Sequence, residues 1–273
     1  MQITNKHNLP DWKVKELSKY VPHKPKDVKR MSVTSLIDCP AIRTLKLKHW
    51  DELEIDIASL IQASHGSMFH QLTDDDISEI KMELEIDGMV LVGKLDNLIF
   101  DSKNRTIVLL ERKFTKVGQL DFNETLLKWE QQINCYAFML KYLFNLVPDK
   151  LLISVNYRDW SKMNVDRRPD YPSIPTTEYV PKRWTTAEQK IFILDRLRYH
   201  REKPMDCPDR WERPDTWAVM KTGQIRAKRV LPSKEEAEAW MKERGGDTIV
   251  YRKGEAVRCK HFCECQNVCP YYR

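Results

Sequence analysis

"GKLDNLIFDSKNRTIVLLERKFT", residues 93–115, contains two apolar runs separated by the polar residues Asp-Ser-Lys-Asn. Alternation of apolar and polar residues in each run is typical of β-strands, and the polar residues favour a turn at 103–104. The stretch therefore predicts an antiparallel hairpin. Asp96 lies near the end of the first strand, and Glu111 and Lys113 lie on the second, where apolar side chains would pack better.

The charged residues of this hairpin predict a cation site. Residues two apart on a strand share a face, so Glu111 and Lys113 point together while Arg112 points away. The hairpin returns Asp96 toward Glu111. Two close carboxylates repel each other unless a cation lies between them, and their hard oxygen atoms suit Mg²⁺ or Mn²⁺. The alternative is an ion pair on the exposed face of an edge strand.

The surrounding sequence predicts an α/β (α+β) domain with a central sheet flanked by helices. "ISEIKMELEID" forms a preceding strand that ends in an Asp87-Gly88 turn. A long amphipathic helix follows the hairpin, and "LLISVNYR" forms a further strand. The remaining predictions are helices at 52–72, 123–145 and 186–204, a short helix after Ser32 or Thr34 that ends before Pro40, and a surface loop at 158–183.

The two ends of the chain differ from this core. Residues 11–30 are rich in lysine and contain prolines, which predicts a loosely packed basic arm within 1–30. After the core, at 31–204, a smaller αβ unit is predicted at 205–258. Its strands are "WAVMK", "IRAKRVL" and "DTIVYRK", and its helix begins after Ser233.

Composition limits the classes of protein to which the chain can belong. Its 273 residues include 46 basic and 40 acidic side chains, so the net charge of +6 permits contact with a polyanion without indicating one. No apolar run is long enough to cross a bilayer, and the first residues lack a signal-peptide pattern. We therefore expect a cytoplasmic protein without a membrane partner.

The seven cysteines are unevenly distributed. A reducing cytosol argues against a disulfide framework. Four thiols nevertheless lie within 259–269, in "CKHFCECQNVC", and this density indicates a metal or cluster site.

Two helical pairs complete the set of candidate residues. Gly66 precedes His70 by four positions, and Gln132 precedes Tyr136 by four. Residues four apart lie on one helix face, so each pair presents one surface to a neighbouring element.

In chain order these motifs are Gly-x-x-x-His, Gly-x-x-Asp, Glu-x-Lys and Gln-x-x-x-Tyr, over about residues 66–136. This order resembles the RecB-type nucleases of the PD-(D/E)XK superfamily, and is most similar to the small CRISPR-associated and phage-encoded iron-sulfur exonucleases. The resemblance implies a restriction-endonuclease-like core with a mixed central sheet. "SLIDCPAIR" around Cys39 resembles the first cluster ligand of that subgroup, and "RCKHFCECQNVC" resembles its C-terminal cysteines.

The resemblance also implies a role for each residue. His70, Asp96, Glu111 and the main-chain carbonyl of Arg112 would hold one or two Mg²⁺ or Mn²⁺ ions, and Asp96, Glu111 and Lys113 would form the catalytic set. Lys113 would orient the attacking water or stabilise the charge that develops on the phosphate. Gln132 and Tyr136 would position Lys113 and the DNA strand.

A 4Fe-4S cluster is the implied cofactor of the cysteine site. Its expected ligands are Cys39, Cys259, Cys263 and Cys269, with Cys265 as a neighbour or a substitute ligand. This cluster, at 259–273 and completed by Cys39, would pack near the N-terminal part of the chain. Zinc is the alternative, because it accepts four thiolates tetrahedrally.

The expected function is that of a metal-dependent deoxyribonuclease, an exonuclease on single strands or strand ends. DNA is the expected partner, together with recombination or CRISPR-adaptation proteins. One alternative is a module that binds DNA ends for a partner on the same scaffold. The other is a zinc-containing nucleic-acid-binding protein.

Overall fold

The computed structural model describes residues 1–25, 27–71 and 78–272, with the backbone alone for 67–71 and 78. The chain forms two compact units, Met1–Asp206 and Cys207–Arg273. The elements of the first unit are β1 (Gln2–Thr4), α1 (Asp11–Leu17), β2 (Arg30–Ser32), α2 (Val33–Ile37), α3 (Pro40–His49), β3 (Glu54–Asp56), α4 (Leu60–Gln71), β4 (Ser78–Ile86), β5 (Met89–Asp101), β6 (Thr106–Thr115), α5 (Asn123–Phe144), β7 (Lys150–Tyr157), α6 (Lys162–Val165), β8 (Thr176–Tyr179) and α7 (Thr186–Glu202).

A six-stranded mixed sheet forms the centre of the first unit. Its strand order is β2-β5-β6-β7-β8, and β4 also pairs with β5. The pairs β2/β5 and β6/β7 are parallel, whereas β4/β5, β5/β6 and β7/β8 are antiparallel. The predicted fold class, an α/β (α+β) domain with a mixed central sheet flanked by helices, is confirmed.

Both predicted hairpin turns are confirmed by backbone geometry. Asp87 and Gly88 have φ angles of 51° and 71°, the left-handed pair that a two-residue turn between twisted strands requires. At the second turn the Asp101 carboxylate accepts hydrogen bonds from the N–H groups of Lys103 (2.9 Å) and Asn104 (3.2 Å). These turns fix the register of β4, β5 and β6.

The helix α5 joins β6 to the parallel strand β7 and packs against the sheet. It contacts β4, β5 and β6, and α2 and α7 lie beside it. Residues 132–140 of the helix are buried, because this part lies between the sheet and these helices, whereas its last three residues are exposed. Asn145, in the left-handed conformation, ends the helix close to the predicted boundary.

Two predictions about local structure were wrong because the strands concerned depend on distant pairing. The helix predicted at 52–72 begins only at Leu60, since Glu54–Asp56 pairs in parallel with β1 and Asp56 caps the following turn through the N–H of Ala58. The loop predicted at 158–183 contains α6 and β8, and β8 pairs with β7. Prolines near β8 obscure its short run of Thr and Tyr residues.

Part of the predicted basic arm is folded. Residues 11–17 form α1, which ends in the fully buried Leu17. Leu17 packs in a small core with Ile55, Ile57 and Leu60. An apolar residue at this position therefore anchors a segment whose lysines and prolines predict loose packing.

The second unit contains a three-stranded antiparallel sheet, in which Thr216–Met220 is the central strand, and a helix packed against it. Ser233 caps this helix, as predicted, by accepting a hydrogen bond from the N–H of Glu236. The elements are β9 (Glu212–Arg213), β10 (Thr216–Met220), β11 (Arg229–Leu231), α8 (Lys234–Arg244), β12 (Thr248–Arg252), β13 (Glu255–Ala256) and α9 (Val257–His261). None of the described helices in either unit is both long and apolar enough to span a membrane.

Candidate active site

The candidate site lies where β5 and β6 separate. Their paired register ends with Asn97 opposite Leu110, whereas β6 continues to pair with β7 as far as Thr115. Beyond this point the N–H of Arg112 donates a hydrogen bond of 2.7 Å to the Asp96 carboxylate. This bond fixes Asp96 beside the Glu-Arg-Lys segment.

Glu111 and Lys113 share one face of β6, as their spacing predicts. The Lys113 Nζ atom donates to Glu111 Oε1 and to Gln132 Oε1, each at 2.8 Å. Gln132 Nε2 in turn donates to Glu111 Oε1 at 2.9 Å and to the Tyr136 hydroxyl at 3.0 Å. The predicted residues of β6 and α5 thus form one hydrogen-bonded network. We define the polar cluster as this network and Asp96, that is, Asp96, Glu111, Lys113, Gln132 and Tyr136.

Burial of Glu111 dominates the electrostatics of the polar cluster. The residue is only 4% exposed. Desolvation raises the pKa of its carboxyl group from 4.5 to about 7, although the charge and hydrogen bond of Lys113 lower it. The negative charge of Asp96 also raises the pKa of Glu111, because two carboxylates repel each other. The ion pair with Lys113 therefore only partly compensates the buried charge.

The free carboxylate oxygen of Glu111 fits a divalent cation. Oε2 is buried and has no hydrogen-bond partner among the described residues, although a buried polar atom ordinarily has one. A second carboxylate, that of Asp96, interacts with the same group. Hard oxygen donors of this kind suit Mg²⁺ or Mn²⁺. Asp96 and Glu111 are therefore the residues that could hold such an ion.

Two predicted metal donors are placed only in part. His70 belongs to α4, whose backbone contacts β6, but its side chain lies outside the described residues. The backbone of Arg112 lies within the polar cluster through its N–H group. The use of its carbonyl oxygen as a metal ligand stays a prediction.

Gly93 has a structural role in the site that its sequence motif alone does not reveal. A Cβ atom at this position would lie 3.0 Å from Met139 Sδ and 3.1 Å from Tyr136 Cε1. Glycine therefore permits α5 to approach β5 closely, and this approach brings the Tyr136 ring against β5. A glycine inside an apolar strand is the sequence signal that could have predicted such a contact.

Replacing Gly93 with alanine is expected to destabilise the protein by about 1–3 kcal/mol, because the tyrosine ring must move to admit a methyl group. Urea unfolding of the two proteins measures the difference. Gly118→Ala is the matched control, since its Cβ would meet the Asp121 carboxylate at an ordinary contact distance of 3.6 Å. Equal stabilities of the Gly93→Ala variant and the parent protein would contradict the proposed packing.

Tyr136 is buried at the inner end of the polar cluster. Burial, assisted by the charge of Glu111, raises the pKa of its hydroxyl group above the ordinary value. The hydroxyl therefore stays protonated at neutral pH. It accepts the Gln132 hydrogen bond, which agrees with a positioning residue and argues against a phenolate base.

The C-terminal cysteines lie close together within the second unit. Burial raises the pKa of the Cys259 thiol, and the charges of Cys263 and Cys269 raise it further. A hydrogen bond from Cys265 is the largest of the effects that lower the pKa of Cys263 to about 6. None of these four thiols forms a disulfide with another described residue, and their use as ligands of a metal or cluster stays a prediction.

Cys39 lies in the first unit, immediately before α3, and is buried. Its backbone N–H donates a hydrogen bond of 2.8 Å to the Asp38 carboxylate. The predicted four-cysteine cluster that includes Cys39 stays a prediction, as does the choice between Cys265 and its neighbours.

No protein-family model and no curated protein matches the sequence. The solved structures to which the chain is similar include one described as "Crystal structure of SSO0001", which aligns with 68% of this chain and 84% of its own chain. The alignment has 16% sequence identity and a TM-score of 0.46.

Proposed function

We propose that the chain is a metal-dependent deoxyribonuclease of the RecB-like PD-(D/E)XK class that hydrolyses single strands or strand ends. The observation that carries the proposal is the polar cluster. It joins the two carboxylates, the lysine, the glutamine and the tyrosine of the ordered motifs through four side-chain hydrogen bonds and one bond to the backbone. An exposed ion pair on an edge strand does not explain a buried carboxylate with a free oxygen.

The carboxylates supply the metal-binding part of this function. Asp96 and Glu111 would hold Mg²⁺ or Mn²⁺, with His70 and the Arg112 carbonyl as the further ligands that the resemblance implies. Such an ion, when bound, lowers the pKa of a coordinated water and stabilises charge on phosphate oxygens. Glu111 brings a preformed donor to this task, because Lys113 and Gln132 occupy one of its oxygens and leave the other free.

Lys113 supplies a fixed positive charge. Glu111 and Gln132 accept two of the three hydrogen bonds that its ammonium group can donate, and the described residues contain no acceptor for the third. The remaining N–H is available to the attacking water or to a phosphate oxygen. A preoriented donor of this kind stabilises developing charge without the cost of reorienting solvent.

The cysteines would hold a 4Fe-4S cluster with a structural function, because no thiol belongs to the polar cluster. Anaerobically prepared protein should be brown, with charge-transfer absorption in the visible range. Colourless protein with stoichiometric zinc would instead favour the zinc alternative.

A nuclease assay tests the proposal. Purified protein is incubated with labelled single-stranded DNA and Mn²⁺ or Mg²⁺, using substrates blocked at the 5′ end, at the 3′ end or at both. We expect metal-dependent release of nucleotides, and the blocked ends reveal its direction. Tight binding of DNA ends in EDTA, without turnover when the metal is added, would instead identify an end-binding module.

A further inference from the structure

A strongly basic hairpin lies in the second unit, outside the polar cluster. We define the basic hairpin as residues 216–231, which comprise β10, β11 and the loop between them. It contains four basic residues and no acidic one, although the whole chain has a net charge of only +6. These residues are Lys221, Arg226, Lys228 and Arg229.

The tip of the basic hairpin has a defined conformation. The N–H of Gln224 donates to the Lys221 carbonyl at 3.0 Å, and Gly223, with a φ of 80°, forms the turn between them. The N–H of Lys228 closes the base of the loop on the Val219 carbonyl at 2.8 Å. The tip is thus a folded projection held on a sheet.

Ile225 is 97% exposed at this tip, the largest exposed fraction among the large apolar side chains described. Single exposed apolar residues are common on protein surfaces and need no explanation by themselves. Ile225 differs because Arg226 follows it directly and every charged residue of the hairpin is basic. An apolar side chain among basic residues suits duplex DNA, which has anionic phosphates on its outside and stacked, apolar base faces inside.

The four basic residues differ in how far neighbouring groups offset their charge. Arg226 and Arg229 are exposed and form no ion pair among the described residues. Lys228 donates to two backbone carbonyls at the end of α8. The Asp247 carboxylate accepts a hydrogen bond of 2.6 Å from the N–H of Thr222, which lowers the pKa of this carboxyl group, and the charges of Lys221 and Lys228 lower it further. The positive field at the tip therefore comes mainly from the two arginines.

We propose that the basic hairpin binds duplex DNA and inserts Ile225 between neighbouring base pairs. Apolar side chains are used in this way by proteins that unstack and bend a duplex, while basic residues beside them contact the phosphates. The inference rests on the proposed function only in taking DNA as the polymer. It adds a duplex-binding element to a protein proposed to cut single strands or strand ends.

The test measures binding of the full chain to a fluorescent duplex in EDTA, so that no cleavage occurs. Arg226→Ala combined with Arg229→Ala should weaken binding and reduce the slope of log K against log salt by about two, one unit for each lost phosphate contact. Lys242→Ala with Arg244→Ala, on α8 of the same unit, is the matched control and should leave the slope unchanged.

A second variant separates insertion of the Ile225 side chain from the phosphate contacts made by the arginines. Ile225→Ala should weaken duplex binding about 10-fold without changing the salt slope, because it removes apolar contact and no charge. A duplex containing 2-aminopurine should brighten when the parent protein unstacks it, and this signal should be lost in the variant. Ile191→Ala, at an exposed isoleucine of α7, is the control.

The results separate this inference from the proposed function. Unchanged affinity and unchanged 2-aminopurine fluorescence in Ile225→Ala would overturn insertion, and an unchanged salt slope in the arginine variant would overturn phosphate contact. Both would leave a positive nuclease assay intact. Conversely, hairpin-dependent duplex binding by a protein that cuts no DNA would support the inference while contradicting the nuclease.

Discussion

Replacing Lys113 with methionine is expected to reduce metal-dependent cleavage of single-stranded DNA by about 10²–10³-fold, the effect of losing one preoriented donor at a developing charge. Methionine retains most of the length of the lysine side chain but removes the ammonium group that Glu111 and Gln132 orient. The measurement is the single-turnover rate at saturating Mn²⁺. Lys103→Ala, at the distant turn of the same hairpin, is the control and should cleave at the parental rate.

The pH dependence of this variant separates two roles of Lys113. Its charge lowers the pKa of Glu111, so its removal should leave Glu111 protonated over a wider pH range and weaken the metal site. If Lys113 acts only through Glu111, the activity of Lys113→Met should recover toward the parental rate at pH 9. A defect that persists at pH 9 indicates direct action on water or phosphate, which we expect. Parental activity of the variant at pH 7.5 would contradict both roles.

Asp96→Asn distinguishes the charge of this residue from its hydrogen bond. Asparagine can still accept the bond from the Arg112 N–H, so the local backbone should be preserved. The variant lacks the negative charge that a metal site needs. Loss of cleavage with an unchanged unfolding midpoint would therefore assign Asp96 to the metal and not to the fold.

Much of this site follows from local periodicity. Strand alternation places Glu111 and Lys113 on one face of β6. Helical spacing places Gln132 and Tyr136 on one face of α5. Both pairs meet in the structure because α5 connects β6 to its parallel neighbour and packs back onto the sheet. Local periodicity was therefore sufficient to predict which residues of β6 and α5 belong to the polar cluster.

Other features of the site and the fold depend on tertiary contacts, which sequence periodicity does not predict. The bond between Asp96 and the Arg112 N–H exists because the β5/β6 pairing ends at Asn97 and Leu110, and no residue in either strand marks that point. The role of Gly93 depends on the distance between β5 and α5. Likewise β8 becomes a strand only by pairing with β7. These features are tertiary, so the sequence pattern predicts the residues but not their contacts.

Metal-free protein is expected to lose stability as pH rises from about 4.5 to 7, through the single group Glu111. Its pKa is about 7 in the folded chain and 4.5 in the reference state, so the folded protein retains a proton that the unfolded chain releases. The contribution of Glu111 to stability is therefore fully present below pH 4.5 and is lost as the pH rises to about 7. At 1.36 kcal/mol for each pKa unit, the loss is about 3 kcal/mol.

The Glu111→Gln variant isolates the contribution of Glu111 to the pH dependence of stability. Urea unfolding of the parent and of Glu111→Gln is compared in EDTA at pH 4.5 and at pH 8, so that other titrating groups cancel in the difference. The free energy of unfolding of the parent, relative to the variant, should be about 3 kcal/mol lower at pH 8 than at pH 4.5. Glu178→Gln, at an exposed position of β8, should show no such change.

Adding Mn²⁺ at pH 8 tests whether the buried carboxylate of Glu111 binds a metal or has only a structural role. A cation bound at Glu111 removes the repulsion from Asp96 and stabilises the folded state by mass action, so the parent should regain stability as the metal concentration rises. Glu111→Gln should gain much less, because an amide is a weaker ligand and carries no charge. If Mn²⁺ stabilises both proteins equally, Glu111 does not bind the metal and its burial is purely structural. A selective response requires a metal site at the free oxygen of Glu111, and that site is what the proposed nuclease needs.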